Sequence, residues 1–507
     1  TRLVGSEMCI RDSTEMRGGD AYASPRLSDA YSDILKSTSW NQYNHNFNAT
    51  LLQETAFNSN SAGAFECWSS HYDRIRRENE FLRDAAEFGS KFGEDWLKIR
   101  IAEVRFCRAY AYFMLCRVYG GVILRTEVDG PEQNDKARST EEECWGFIIN
   151  ELKELAPDLP LKWDSDNSGR ATQKAAYGLL SRVALYAEKW DVAAQAARDC
   201  ATAEGNLDLS ENGYAKIFEL GINSPEVLFA VEFKSSVIDH AYDAYVRPSG
   251  DTKELGKQVY SGFVPTSELV DSYEMAGDGG NFSWEKHGKD PYANREPRFY
   301  ATILYNGADW MGRKIESFVG GKDGYKAYEN AGAAGTTVTG YYLRKYLIDG
   351  DKTWVTSGSG QDWIVLRYAE VLLNKAEALA MENWNKNSAE ALQALNDVRA
   401  RVGLPARATA DKETFLEYVR HERKVELAGE GFRYWDLRRW RLAEKVIDGQ
   451  NVHGVKISKQ SDGSFTYEQV DADGGHKRIF YDRYYRFAIP LSERSNNSLC
   501  TNNDGWI

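Results

Sequence analysis

Residues 421–440 read HERKVELAGEGFRYWDLRRW, and the fold reading starts there. Arg423, Glu426, Glu430, Arg433, Asp436 and Arg439 alternate with Leu427, Phe432, Tyr434, Trp435, Leu437 and Trp440. A solvated charge run would not carry so many large rings. Arg423 with Glu426, Glu430 with Arg433 and Asp436 with Arg439 are opposite charges three apart, so each pair is predicted to share a helix face. Gly429 and Gly431 predict one helix ending and another beginning nearby. The stretch reads as a paired charge network seated against apolar rings.

Outward from it, the pattern is mainly helical. Trp68, Tyr72, Ile75, Asn79 and Leu82 keep helical spacing within residues 65–88. Val104, Cys107, Ala111, Met114 and Val118 do the same within residues 97–119, stopped by Gly120-Gly121. Residues 139–156 predict a helix with a Ser139–Glu142 capping box. Residues 172–203 and 363–402 each predict an antiparallel helix pair whose alanine-rich faces permit close approach, similar to tetratricopeptide repeats. Between the pairs, residues 205–361 are rich in Gly, Asp, Asn, Trp and Tyr. Strands are expected at residues 227–233, 299–305 and 341–347, and the rest as loops. Residues 451–487 form a second loop-rich insertion, and residues 14–60 an irregular polar segment with Trp40, Tyr43, Phe47 and Phe57.

The 507 residues are ample for a large core, and 63 Lys and Arg against 76 Asp and Glu give a net charge of −13. Such a balance opposes nonspecific nucleic-acid binding, which runs on basic charge. Seven scattered cysteines with no C-x-x-C are neither a disulfide framework nor a zinc site. No stretch of 18 apolar residues predicts a membrane span. Residues 1–13, TRLVGSEMCIRDS, have no element pattern and resemble translated adapter text, so they are set aside as non-native.

No nucleophile elbow, H-E-x-x-H, P-loop or dinucleotide fingerprint occurs, and seven histidines stand singly, so neither a cofactor nor a metal is expected. Residues 164–169 begin like a calcium loop, but position twelve is Ala175 where a bidentate Glu is required, and a polar turn is the better reading. Glu426, Glu430 and Asp436 are nominal glycosidase carboxylates. Each has an arginine three residues away, which favours the ionised form over the raised pKa a general acid needs.

Several segments together resemble the SusD/RagB family of Bacteroidetes nutrient-uptake lipoproteins. WSSHYDRIRRENEFL at 68–82 is similar to its W-x-x-x-Y-x-x-I-x-x-x-N helix, and RFCRAYAYFMLCRVYGG at 105–121 to its R-x-x-R-A segment. Gly169-Arg170-Ala171-Thr172, RYAEVLL from Arg367, NDVRARVG at 396–403, Glu422 to Trp440, Ile489-Pro490 and Asn503-Asp504-Gly505-Trp506 follow in the family's order. The resemblance implies a mainly α SusD-like helical scaffold with tetratricopeptide-like helix pairs and loop-rich insertions holding a few short strands. It divides the chain into an N-terminally truncated region at 14–230 and a C-terminal region at 231–507, with an insertion at about 231–361. It implies a non-enzymatic surface protein that captures oligosaccharide, or in some members oligopeptide, for a TonB-dependent outer-membrane transporter. A glycoside hydrolase is the remaining alternative. The place implied is the extracellular face of the outer membrane, through an N-terminal lipid anchor; the lipobox is absent from this chain, and Cys9 lies in the segment set aside.

Binding rings on such a scaffold are expected mainly in loops. The predicted ligand contacts are Trp40, Trp68, Trp284, Tyr292, Tyr305, Trp310 and Trp354, with Asn306, Asp309 and Arg313 as polar partners. Aromatic faces beside a carboxylate and an amide suit sugars, whose carbons stack while their hydroxyls need donors and acceptors.

Overall fold

A computed structural model of the chain describes residues 26–38, 57–128, 130, 135–327 and 336–506. Helix α1 (Arg26–Ala30) leads into strand β1 (Leu35–Ser37). Two long helices follow, α2 (Trp68–Phe88) and α3 (Glu94–Tyr119), which pack on each other. The chain leaves α3 through Gly120, whose φ of 75° suits glycine. Helix α4 (Glu141–Leu155) starts on a capping box one residue later than expected: Glu143 N donates to the Thr140 hydroxyl, and the Glu143 carboxylate accepts from Thr140 N. Asp164 closes a single turn by accepting from Asn167 N and Nδ2, as the polar-turn reading expected.

Helices α5 (Gln173–Tyr186) and α6 (Trp190–Thr202) form the first predicted pair, with Ala175, Ala176, Ala184, Ala193, Ala194 and Ala197 buried. Small side chains let the backbones approach. Strand β2 (Val227–Val231) is wholly buried, as its unbroken apolar run predicts. Strand β3 (Phe263–Pro265) pairs with β1. A short helix α7 (Trp284–His287) precedes α8 (Pro297–Thr302), β4 (Ile303–Leu304), β5 (Asp309–Trp310) and β6 (Arg313–Lys314). The strand expected at 299–305 is therefore mostly helix; Pro297 at the first turn presets helical φ. The strand expected at 341–347 shrinks to β7 (Tyr342–Leu343), antiparallel to β4.

Residues 363–367 are strand β8 (Trp363–Arg367), paired antiparallel with β2, and not the start of the second helix pair. That pair begins at α9 (Tyr368–Arg401), which breaks at Asn383, where φ is −165° and ψ 94°. It packs on α5, α6 and α10 (Lys412–Glu426). The turn at Gly429 and Gly431 then leads to α11 (Arg433–Arg439), as the two glycines predict. Residues 451–487 hold an unforeseen hairpin, β9 (His453–Lys459) with β10 (Phe465–Asp471). All strand pairing among the described residues is two-stranded and antiparallel. No helix among them is long and apolar enough to cross a membrane.

The acidic groups of residues 421–440 are buried and ion-paired, but mainly across the fold. Arg423 pairs with Asp436 at 2.8 Å, Arg433 with Asp33 at 2.8 Å, and Glu430 with Arg367 at 2.7 Å and Lys345 at 2.9 Å. Of the three expected local pairs, only Asp436–Arg439 forms, at 2.8 Å. The other two fail because Glu426 and Glu430 point into a richer set of guanidinium groups. Arg367 donates to Glu226 at 2.9 Å, to Glu426 at 2.6 Å and to both oxygens of Glu430. Arg298 on α8 reaches Glu422 at 2.5 Å and Glu426 at 3.0 Å, and Arg401 bonds both Glu426 and Glu226. These contacts join α8, α9, α10, the end of β8 and Glu226 just before β2, so the second helix pair and the loop-rich block share one buried electrostatic joint. Asp29 extends the joint to α1 by accepting from the backbone N–H groups of Gly429, Gly431 and Arg433.

Burial alone would raise the Glu426 carboxyl, but Arg401, Arg367 and Arg298 outweigh it and hold it well below the usual range. Glu430 and Asp436 are depressed in the same way. A depressed folded pKa gives stability that is present above the unfolded value and lost as pH falls through the folded one. Glu78 on α2 has the opposite sign. Burial pushes it up to about 8 against Arg108 and Arg74, and neither carboxylate oxygen has a hydrogen-bond partner among the described residues. Its folded form keeps a proton the unfolded chain releases, so stability falls as pH rises from about 4.5 toward 8. Glu78→Gln is therefore expected to be more stable than the parent at pH 8 and close to it at pH 5, in urea unfolding. An equal change at both pH values would contradict this assignment.

Candidate functional site

The structure sorts the predicted contacts into three groups. Trp40 lies outside the described residues. Trp68, Trp310 and Trp354 are withdrawn from solvent and offer no free face to a ligand in this conformation. The Trp68 indole N–H donates to Glu493 at 3.2 Å, and its ring meets Tyr72 and Tyr119 at the mouth of α2. Trp310 is 0% exposed and donates to Asp251 at 3.0 Å. Arg247 lies over both Trp310 and Trp354, each 5.2 Å from its centroid. Arg313 belongs to the same knot, held by Asp323 at 2.6 Å and Asp251 at 2.7 Å. Asp309 stands apart on the surface, paired with Lys314 at 2.7 Å. The aromatic and charged composition that suggested a sugar platform here instead serves packing, because guanidinium groups stack on rings as readily as ligands do.

The third group comes together. Tyr292 and Tyr305 are 4.6 Å apart between centroids. Tyr467 on β10 lies 5.8 Å from Tyr292 and 5.9 Å from Trp284. Tyr300 on α8 closes the far end, 6.0 Å from Tyr305. Tyr292 is buried, whereas Trp284, Tyr300, Tyr305 and Tyr467 are half-buried, so a continuous run of rings reaches solvent.

Two of the rings are fixed by hydrogen bonds. Trp284 donates its indole N–H to Asp271 at 2.9 Å; the Tyr300 hydroxyl donates to the Tyr292 carbonyl at 2.8 Å. Arg295, buried beneath, donates to the carbonyls of Pro291, Val270 and Tyr273 and stacks on Phe299 at 4.7 Å. Arg298 on the same helix as Tyr300 ties this region to the buried ion-pair joint.

The hydroxyls of Tyr305 and Tyr467 make no hydrogen bond to other described residues. Asn306, 7% exposed, has no partner for Oδ1 among them. Asp290 is an exposed carboxylate close enough to raise both phenols, after burial and, at Tyr305, after Tyr300 and Asp309. Burial pushes Asp271 up to about 6. The arrangement offers ring faces with phenol hydroxyls, an amide oxygen and the Asp290 carboxylate at their edges, which is recognition chemistry.

Tyr467 and Tyr300 escaped the sequence reading. A signal existed for Tyr467: Asp462-Gly463 lies between segments with alternating apolar residues, the hairpin pattern. Tyr300 was assigned to a strand, and its place on α8 follows from Pro297.

A separate cavity of about 230 Å³ lies at the other helix pair, between Trp190, Trp440, Met381 and Leu416. Of its two lining carboxylates, Glu188 is exposed, and Glu377 already accepts from Trp440 at 2.8 Å and from Arg439 at 2.5 and 2.7 Å.

Comparison with known proteins places these features. Residues 225–506 match the family model described as SusD family, and residues 12–185 match one described as starch-binding associating with outer membrane. A SusD-like protein of Bacteroides ovatus is 26% identical over 452 residues, covering 83% of this chain and 74% of that protein. A SusD-like protein of Formosa agariphila is 25% identical over 401 residues, covering 75% and 73%. The crystal structure of a SusD-like protein from Bacteroides fragilis superposes with a TM-score of 0.80 at 27% identity, over 95% of this chain and 93% of that one. The fold is shared with surface glycan-binding protein A of Bacteroides thetaiotaomicron, solved in complex with laminarihexaose, at a TM-score of 0.70 and 18% identity, over 99% and 98%. A family match over residues 225–506 takes in β8, the ion-pair joint, the Tyr467 hairpin and the ring run together, and on that match the chain belongs to the SusD family.

Proposed function

We propose that this chain is a non-catalytic cell-surface protein that binds oligosaccharide at the Trp284–Tyr467–Tyr292–Tyr305 rings. It hands the glycan to a TonB-dependent transporter at the extracellular face of the outer membrane. The observation that carries the reading is the ring run, half-exposed at Trp284, Tyr305 and Tyr467, whose Tyr305 and Tyr467 hydroxyls have no hydrogen-bond partner among the described residues, held on an ion-paired helical frame. Stacking on ring faces needs no reaction chemistry and leaves the ligand intact. The hydrolase alternative loses its nominees, because Glu426, Glu430 and Asp436 are buried with their charges paired.

Isothermal titration with a panel of oligosaccharides and oligopeptides, followed by assay for new reducing ends, tests the proposal. Binding of at least one glycan with no new reducing ends is expected. Silence across every sugar with retention of peptides would replace it by the peptide-binding reading, and steady release of reducing ends would replace it by the hydrolase.

A further inference from the structure

The cavity between Trp190 and Trp440 shares no lining residue with the ring run around Tyr467, and it sits where three units of the scaffold meet. Leu185 and Trp190 come from the first helix pair, Met381, Leu416 and Val419 from α9 and α10, and Trp440 from the residue that ends α11. Its volume is about 230 Å³. A dry apolar cavity of roughly 150 Å³ already holds a benzene ring, whereas pockets for drug-sized ligands run to about 300–1,000 Å³. The space here suits one aromatic ring on a short arm. The Glu377 carboxylate on its wall accepts from Arg439 through both oxygens and from the Trp440 indole, and Arg439 Nε donates to Asp436 at 2.8 Å. That pair is closed on itself.

The two remaining lining cations, Arg420 and Arg441, are held far more loosely. Arg420 is half-buried beside the Trp440 ring, 5.7 Å from its centroid, and donates through Nη1 to the exposed Glu417 carboxylate at 2.6 Å. Its Nε and Nη2 make no hydrogen bond to other described residues. Arg441 is exposed, lies over Tyr485 and meets the exposed Asp482 carboxylate at 3.8 Å. Ion pairs that face water in this way contribute little, so both guanidinium groups can turn to a new anion at small cost. A guanidinium presents a planar fork of donors that matches a carboxylate. Glu188, the lining carboxylate not tied to Arg439, is exposed, and water and salt screen its charge.

We infer that this cavity binds a small aromatic carboxylate, with its ring between Trp190 and Trp440 and its carboxylate at Arg420 and Arg441. The ring loses water against two indoles and the aliphatic groups of Met381, Leu416 and Val419. The carboxylate stays at the mouth, where it keeps part of its hydration and accepts charge-assisted hydrogen bonds. An amine on the same arm would meet the two guanidinium groups as a like charge. The site stands apart from the glycan reading and does not depend on it.

The test is a calorimetric titration of the intact chain with 3-phenylpropionate, its primary amide and 3-phenylpropylamine, which carry one ring on one arm and differ in charge. The carboxylate is expected to bind at least about tenfold more tightly than the amide, and the amine more weakly than either. Arg420→Gln is expected to remove most of that preference while leaving the amide affinity within about twofold. Met381→Phe, which fills the cavity, is expected to weaken carboxylate and amide alike by at least about tenfold. Arg441 has a φ of 55° just past α11, where Leu442 N donates to the Leu437 carbonyl, a helix end that favours glycine. Arg441→Gly is therefore expected to keep or raise the urea midpoint while binding the carboxylate at least about threefold more weakly. Equal affinity for carboxylate and amide, or tightest binding of the amine, would overturn the inference. So would binding that Met381→Phe leaves unchanged, or a carboxylate preference that survives in both arginine variants. No binding of any of the three up to about 10 mM, weak for a fragment of this size, would overturn it as well.

Discussion

Arg367→Met is expected to lower the unfolding free energy by about 3–5 kcal/mol, because removing one partner of a buried ion pair leaves uncompensated charge behind. Arg367 is 1% exposed and holds Glu226, Glu426 and Glu430 at 2.9, 2.6 and 2.7 Å. Met fills much of the space, so the loss reports the three stranded carboxylates and not a cavity. Part of the charge is rescued by Arg401, which also reaches Glu226 and Glu426, and by Lys345 on Glu430. The comparison is Arg76→Met, which removes a surface pair with Glu80 in which the arginine side chain is 59% exposed; there the expected change is under about 0.5 kcal/mol. Urea unfolding of both variants at neutral pH reads the difference. Equal small effects would mean that the joint is not what fixes the loop-rich block to the helices.

Tyr467→Ala is expected to weaken oligosaccharide binding by about 30-fold, equivalent to about 2 kcal/mol for an aromatic anchor, with a small effect on stability. Tyr467 sits on the hairpin's outer strand, half-exposed, and contacts the site through Trp284 and Tyr292 only by ring packing. Trp310→Ala provides the contrast. That ring is fully buried and stacked under Arg247, so its removal is expected to cost about 3–5 kcal/mol of stability. Binding by whatever fraction stays folded should be little changed. Calorimetric titration of both variants at a temperature where each is folded separates the two roles. The reverse pattern would return the site to Trp310.

These two tryptophan and tyrosine positions show what a linear sequence conveys and what it hides. Helix α3, the Gly429–Gly431 break and the buried strand β2 were legible because their signals are local: spacing, a glycine at positive φ, an unbroken apolar run. The charge network was legible as a composition but not as a pairing. Glu426 has Arg423 one turn away, yet its partners are Arg298, Arg367 and Arg401, the first of these 128 positions distant. Local spacing carries no information on which guanidinium groups the fold delivers. The site suffered the same limit. Trp310 and Tyr305 look alike in a Gly- and Asp-rich segment, and only tertiary packing puts Arg247 over one and leaves the hydroxyl of the other without a hydrogen-bond partner among the described residues.

A rigid, internally ion-paired frame that presents the rings around Tyr467 should release its glycan unchanged. A crystal structure of the chain soaked with the tightest-binding oligosaccharide of the panel tests this most directly. Intact sugar rings stacked along Trp284, Tyr467 and Tyr305 are the expected result; sugar seated between Trp190 and Trp440, or found cleaved, would contradict it.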